Sequence, residues 1–273
     1  MYPIIDAHCH IYPEAIARKA ANATGRFYDG LPSTCDGTVD TLLREGEQCG
    51  IAHFLVQSVA TKPEQVRSIN EFIAREVAAH PGKLTGFGTL HPDSPDIEGD
   101  VNHLLELGLK GVKLHPDIQQ FKIDDYRCLR IYDLCEGRLP ILMHTGDSRF
   151  DYSNPNRLLP VLEIYKNLTV IGAHFGGYSV WDEAEFRLVG LPNLYVDCSS
   201  TRFAVSDEKV VELIRAYGSD RVLFGTDYPM WSPVEETAWF LGLPLTEEER
   251  RRILYENVCN LLSIPVPAPV EQR

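Results

Sequence analysis

The sequence predicts a single-domain α/β fold, an eight-stranded (β/α)8 TIM barrel spanning residues 1–273. Three observations predict it. Eight short apolar, β-rich runs alternate with amphipathic helical stretches, the pattern of a parallel sheet with crossover helices. The length of 273 residues is usual for one such barrel. Histidines and other reactive polar residues fall where the runs end, and in a closed barrel those ends meet on one face. An open doubly wound sheet shares the alternation, but the count of eight favours closure.

The strands are expected at Ile4 to Ala7, Ala52 to Val59, Leu84 to Leu90, Gly111 to Leu114, Pro140 to His144, Leu168 to Ala173, Leu194 to Asp197 and Arg221 to Gly225. A helix over Thr38 to Gln48 opens on a Thr cap and carries Val39, Leu42 and Leu43. One over Pro63 to His80 places Pro at a first helical position, then Val66, Ile69, Phe72, Ile73 and Val77 at helical spacing. Ile97 to Leu107, Asp124 to Glu136, Pro155 to Tyr165, Trp181 to Val189 and Asp207 to Tyr217 follow. Thr246 to Leu262 closes the set, with Thr246-Glu-Glu-Glu249 as a capping box. The Pro-rich stretch 265–273 reads as a surface tail.

Composition narrows the function. A formal net charge of −13 argues against nucleic acid and anionic membranes as partners. No apolar run approaches the ~20 residues of a membrane span. The N-terminus lacks a basic region followed by an apolar stretch, so no secretory signal is expected. Seven scattered cysteines without a C-x-x-C pair suggest thiols in a reducing compartment. A cytoplasmic enzyme-sized domain is the expectation.

Asp6-Ala7-His8-Cys9-His10 follows the apolar run Tyr2-Pro3-Ile4-Ile5. On a regular strand His8 and His10 project to one side with Asp6 in line, and Cys9 faces away. Two imidazoles so placed are half of a transition-metal site, or a pair satisfied by local hydrogen bonds. Lys113-Leu-His115-Pro ends strand four, Met143-His144-Thr-Gly146 strand five, Gly172-Ala-His174-Phe-Gly-Gly177 strand six and Phe224-Gly-Thr-Asp227-Tyr-Pro229 strand eight. A lone strand-end histidine is usually structural. Several on one rim, with an acid, point to a site.

In this order the motifs resemble the amidohydrolase superfamily, and within it the amidohydrolase-2 branch. That branch includes metal-dependent hydrolases and aminocarboxymuconate-semialdehyde-type decarboxylases. The resemblance extends to Glu256-Asn257-Val-Cys-Asn-Leu-Leu262, which is similar to the closing helix. It implies His8, His10, His144 and Asp227 as ligands of one divalent ion, zinc first and manganese second, with a position open to water. It implies catalytic roles for Asp227, as proton carrier, and for His174, whose alternatives are a fifth ligand or a core histidine.

His115 reads as a substrate contact, an outer partner of the metal site or a structural histidine. Binuclear relatives carry a carboxylated lysine at the end of strand four. A bridging role for Lys113 is conceivable, but one metal is the usual pattern and no carbamate is expected. Asp6 either orients an imidazole or caps the strand.

In the loops, Arg149 and Arg202 could each grip a substrate carboxylate or pair with a neighbouring acid. Tyr178, Tyr228 and Trp231 could line the pocket or pack. The resemblance implies a small-molecule substrate and, in many members, a homodimer. The first expectation for the chemistry is hydrolysis of an amide, ester or lactone by a metal-activated water. The alternative is decarboxylation of a cyclic or unsaturated carboxylic acid. The compact chain, without room for long loop insertions, favours the first.

Overall fold

The computed structural model describes residues 2–270. Eight parallel staves follow one another: Ile4–His10, Ile51–Gln57, a third interrupted as Leu84–Gly86 and Gly88–Thr89, then Val112–Leu114, Ile141–Met143, Val170–Gly172, Leu194–Asp197 and Val222–Leu223. Two contacts turn the two hydrogen-bonded sheets into one closed ring. At the interruption, Phe87 N–H donates to Val56 O at 2.9 Å and Gly88 N–H to Gly111 O at 2.9 Å. At the seam, Ala7 N–H donates to Phe224 O and Asp227 N–H to His8 O, both at 2.8 Å. The barrel is the fold the alternation predicts.

The interior is filled by Ile5, Ala7, Leu55, Phe87, Leu142, Ile171 and Leu223, packed on Val258, Cys259 and Leu262 of the last helix. Full burial of each large side chain among these stabilises by about 1.5–3 kcal/mol. Asn257 Nδ2 donates to the carbonyls of Ser219 and Val222 at 2.8 and 2.7 Å, just before and within strand eight. The last helix therefore plugs the end of the barrel opposite the histidines. It is one run from Glu247 to Leu262 with a π-helical turn over Arg252–Glu256, and the Thr246–Glu249 capping box is present. The carbonyl of Ile253, within that wider turn, accepts from Phe224 N–H at 3.0 Å.

Three helices add to the expected set, the shortest being Pro116–Gln119 after strand four. Pro233–Gly242 packs against the helix Val39–Cys49. Ala17–Phe27 lies in the loop after strand one. Of the tail expected over 265–273, residues 265–270 carry no regular structure and 271–273 lie outside the described residues. No helix among the described residues is long and apolar enough to cross a membrane.

Strand one holds the irregularity that decides the site. Opposite strand two, Asp6 pairs with Phe54 but Cys9 pairs with Val56, so strand one carries one extra residue between these points. Phe54 and Val56 pack outward beneath the helices, whereas Ile5 and Ala7 point into the barrel. Without the extra residue, strict alternation would carry Cys9 inward and both histidines outward. The bulge inverts the phase after Ala7: Cys9 joins the outer core, and His8 and His10 face the cavity. The expectation that Asp6 stands in line with the histidines is corrected for the same reason.

Candidate active site

Strand ends one, four, five, six and eight deliver His8, His10, Lys113, His115, His144, His174 and Asp227 to one cavity of about 680 Å³. The backbone at these exits is unusual. His174, Ser200 and Asp227 have φ of +59°, +51° and +60°, a region that costs a non-glycine residue about 1 kcal/mol or more. The surroundings hold them there. Asp227 N–H bonds the carbonyl of His8, and Phe175 N–H the carbonyl of Asp197 at 2.7 Å. Gly225 is required by close approach, since a Cβ there would stand 2.9 Å from Cβ of His8.

His8 is fixed from behind. Its Nδ1–H donates to Asp197 Oδ2 at 2.9 Å, which turns Nε2 and its lone pair toward His10 Nε2 at 3.2 Å and Asp227 Oδ1 at 3.4 Å. His10 Nε2 is 3.7 Å from the same oxygen. Asp197, not Asp6, is therefore the carboxylate that orients an imidazole. Burial opposes its charge, but the adjoining His8 overrides this and holds its carboxyl well below the usual range. Asp6 accepts instead from Thr226 N–H at 3.0 Å and Thr226 Oγ1 at 2.6 Å, sewing strand one to strand eight, and burial lifts its pKa to about 6.

Nitrogen lone pairs and a carboxylate oxygen converging within 3.7 Å repel one another unless a cation or proton lies among them. Donors bound at about 2.1 Å in a tetrahedral array sit about 3.4 Å apart, close to the spacings seen. The residues thus fit a divalent ion. Lys113, fully buried, places Nζ 3.3 Å from His8 Nε2, and burial lowers its pKa to about 8.

Among the described residues, His8, His10 and Asp227 form one group able to hold an ion. His144 falls in an adjoining group with His115 and Asp117. Its ring stacks on His115 at 3.9 Å. Its Nε2 is buried without a hydrogen-bond partner, 3.6 Å from Asp117 Oδ2. Burial raises Asp117 to about 7. His115 Nδ1 accepts from Ile118 N–H at 3.3 Å, which assigns the proton to Nε2; that N–H donates to Tyr28 Oη at 2.9 Å. The phenol proton of Tyr28 is then available to the cavity.

His174 Nδ1–H donates to Ser199 O at 3.1 Å, so Nε2 is its free acceptor, and burial lowers its pKa to about 4. Asp227 Oδ2 accepts from Ser200 Oγ at 2.6 Å, and Ser200 accepts from Trp231 Nε1 at 2.8 Å.

The loop residues behave differently. Arg149 binds Asp147 through two nitrogens at 2.7 and 3.0 Å, Asp29 at 3.0 Å and the carbonyl of Phe27 at 2.7 Å, with its guanidinium over the Phe27, Tyr28 and Phe150 rings. It fastens the end of helix Ala17–Phe27 to the loop after strand five and does not line the cavity. Arg202 pairs with Glu235 and Glu236 beside a separate cavity of about 300 Å³. For both, pairing with neighbouring acids is the arrangement found. Tyr228 is fully buried and donates to Thr38 O at 2.8 Å, a structural placement outside the cavity lining. Tyr178 packs behind His144 and His174, with ring centroids 5.8 and 5.7 Å away.

Three participants escape the sequence reading: Asp197, Asp117 and Tyr28. Asp197 carried a signal, as the last residue of an expected strand. Tyr28 carried none, because its helix was not foreseen.

A family model described as amidohydrolase, the amidohydrolase-2 type, matches residues 5–262. The chain belongs to the amidohydrolase family. Among curated proteins it is 22% identical to a gamma-resorcylate decarboxylase of Rhodococcus jostii, over 92% of this chain and 95% of that one. Among solved structures, an uncharacterised TIM-barrel protein of Bordetella bronchiseptica superposes with a TM-score of 0.79 at 24% identity, covering 96% and 98% of the two chains. A dihydroxybenzoic acid decarboxylase of Polaromonas sp. JS666, with bound manganese and the inhibitor 2-nitroresorcinol, gives 0.70 at 19% identity, covering 96% and 97%. The family supports an enzyme, and the curated relatives back the decarboxylase alternative better than the hydrolase expectation.

Proposed function

We propose that this amidohydrolase-family enzyme is a divalent-metal-dependent decarboxylase of a small ring carboxylic acid with a hydroxyl beside the carboxylate. The observation that carries the reading is the convergence of His8, His10 and Asp227 within 3.2–3.7 Å on the cavity wall. Support for the choice of reaction comes from relatives named gamma-resorcylate decarboxylase that match nine-tenths of the chain.

In this reading His8, His10 and Asp227, completed by His144, would hold one ion, manganese or zinc. The ion, when bound, would supply an electrophilic centre for the substrate's carboxylate and hydroxyl oxygens. His174, neutral above about pH 4, accepts a hydrogen bond from the substrate hydroxyl at Nε2 and steadies the ring. Asp227, steadied by Ser200, takes up one proton from water and passes it to the ring carbon bearing the carboxylate. That carbon gains a C–H bond, the bond to the carboxylate breaks with its electron pair returning to the ring, and carbon dioxide leaves. Tyr28, its oxygen occupied by His115, donates a hydrogen bond to a substrate oxygen.

The test is a product assay on the manganese- or zinc-loaded enzyme with dihydroxybenzoates and with a panel of lactones and amides. Carbon dioxide and the matching phenol are expected. Water added to a lactone or amide, with no carbon dioxide from any acid, would return the assignment to hydrolysis.

A further inference from the structure

The cavity is much larger than the head group just proposed needs. A closed space of about 150 Å³ already accommodates a benzene ring, whereas this cavity encloses about 680 Å³. Its histidines, Lys113 and Asp227 stand at the strand ends, while Thr24, Ser68 and Arg75 add polar groups on the helical side. The remainder passes between two helices, Ala17–Phe27 and Val66–Ala79.

The first of these helices has two faces. Ala17, Ala21 and Gly25, four apart, are buried in the protein. Ile16, Ala20, Ala23 and Phe27, at helical spacing on another face, line the cavity over about 16 Å. Ile16 is half exposed although it is a large aliphatic residue. Across the cavity stand Ile69 and Phe72, one turn apart on the second helix. Ala20 and Ala23 contribute only methyl groups to this lining. An apolar lining continuous with a polar reaction centre is the form of a site that selects a two-part ligand.

We propose that the natural substrate carries an apolar arm of several carbons on its acid-bearing ring. The arm lies in the corridor between Ile16, Ala20, Ala23 and Phe27 on one side and Ile69 and Phe72 on the other. The acid head stays at the histidines. The inference rests on the decarboxylase reading only for the identity of that head.

Titration calorimetry of the full chain with manganese added, using resorcinols bearing ethyl to octyl chains, tests the arm separately from the chemistry. Affinity should rise by about fourfold per methylene, the gain from burying a CH₂, until the corridor is filled. Ala23→Trp should flatten that dependence by plugging the corridor. Ile69→Ala, which adds no bulk, should lessen the gain for the longer chains only. Affinity independent of chain length in the unaltered protein overturns the corridor, as does an unchanged slope in both variants. Carbon dioxide release from unsubstituted dihydroxybenzoates reports on the head alone. A slope without that release keeps the corridor and rejects the decarboxylase; release without a slope does the reverse.

Discussion

The two walls of the cavity are built on opposite principles. The strand-end wall is over-determined: His8 is held by Asp197, His174 by Ser199, Asp227 by Ser200 and by a backbone bond to His8. Each reactive atom there has one direction to face. The helical wall, made by Ala17–Phe27 and Val66–Ala79, presents apolar side chains whose positions depend on packing and on the Arg149 fastening. Chemistry sits on the side that cannot move, and selectivity on the side that can change at little cost to the barrel.

The largest expected effect breaks the rigid wall. Asp227→Ala should abolish stoichiometric retention of manganese or zinc and lower turnover by more than about 100-fold. Asp197→Asn, which leaves every first-contact donor in place, should weaken the metal by about 10–100-fold. Elemental analysis after gel filtration ranks the two. Equal metal content in both variants and the parent would refute the proposed ligand set.

A middle-sized effect sharpens the contrast. Arg149→Ala removes a bidentate carboxylate pair and contacts to three rings from a partly exposed site, so a stability loss of about 1–2 kcal/mol is expected. The kinetic change should appear mainly as a several-fold rise in KM, because the fastening holds the helical wall and touches no reacting atom. A loss confined to kcat would mean that Arg149 acts on the chemistry.

The smallest effect on turnover lies behind the rigid wall, in the lesser cavity that Ser200 shares with Glu236. Burial lifts the Glu236 carboxyl from 4.5 to about 7, and one of its oxygens has no partner. A carboxyl that is easier to protonate when folded favours the fold below pH 4.5, and that contribution is lost as pH rises through 7. Glu236→Gln should therefore stabilise the protein at pH 8, by on the order of 2 kcal/mol, and much less at pH 5. Urea midpoints at the two pH values decide it; a larger gain at pH 5 would reverse the sign argued here.

Much of the rigid wall is legible in the sequence because strand exits announce themselves. An apolar run, a histidine or aspartate, and then a glycine, threonine or proline is a local pattern, and the barrel supplies the convergence. The helical wall is not legible in the same way. Helix Ala17–Phe27 buries only Ala17, Ala21 and Gly25, so it has a stripe of small residues where a hydrophobic period is sought. Helix Pro233–Gly242 buries Glu236 and Thr237 among its core positions, which breaks its apolar pattern too. The targets of Arg149 and Arg202 are set by which acids the folded loops bring near. Nothing in either arginine's immediate neighbours distinguishes a substrate grip from a fastening.

The bulge in strand one gives residue count a chemical meaning. Substitutions that preserve length leave the imidazoles facing the chamber, and loss of the single residue Ala7 would turn the bulge into a regular strand in which Ile5, His8 and His10 still share one side. A thiol would enter where two nitrogens had been only if the bulge were straightened with all its residues kept, which would press both histidines into the helical layer. The reactive character of this enzyme is thus stored partly as arithmetic, a parity set by the bulge between Asp6 and Cys9, and metal content would record its reversal.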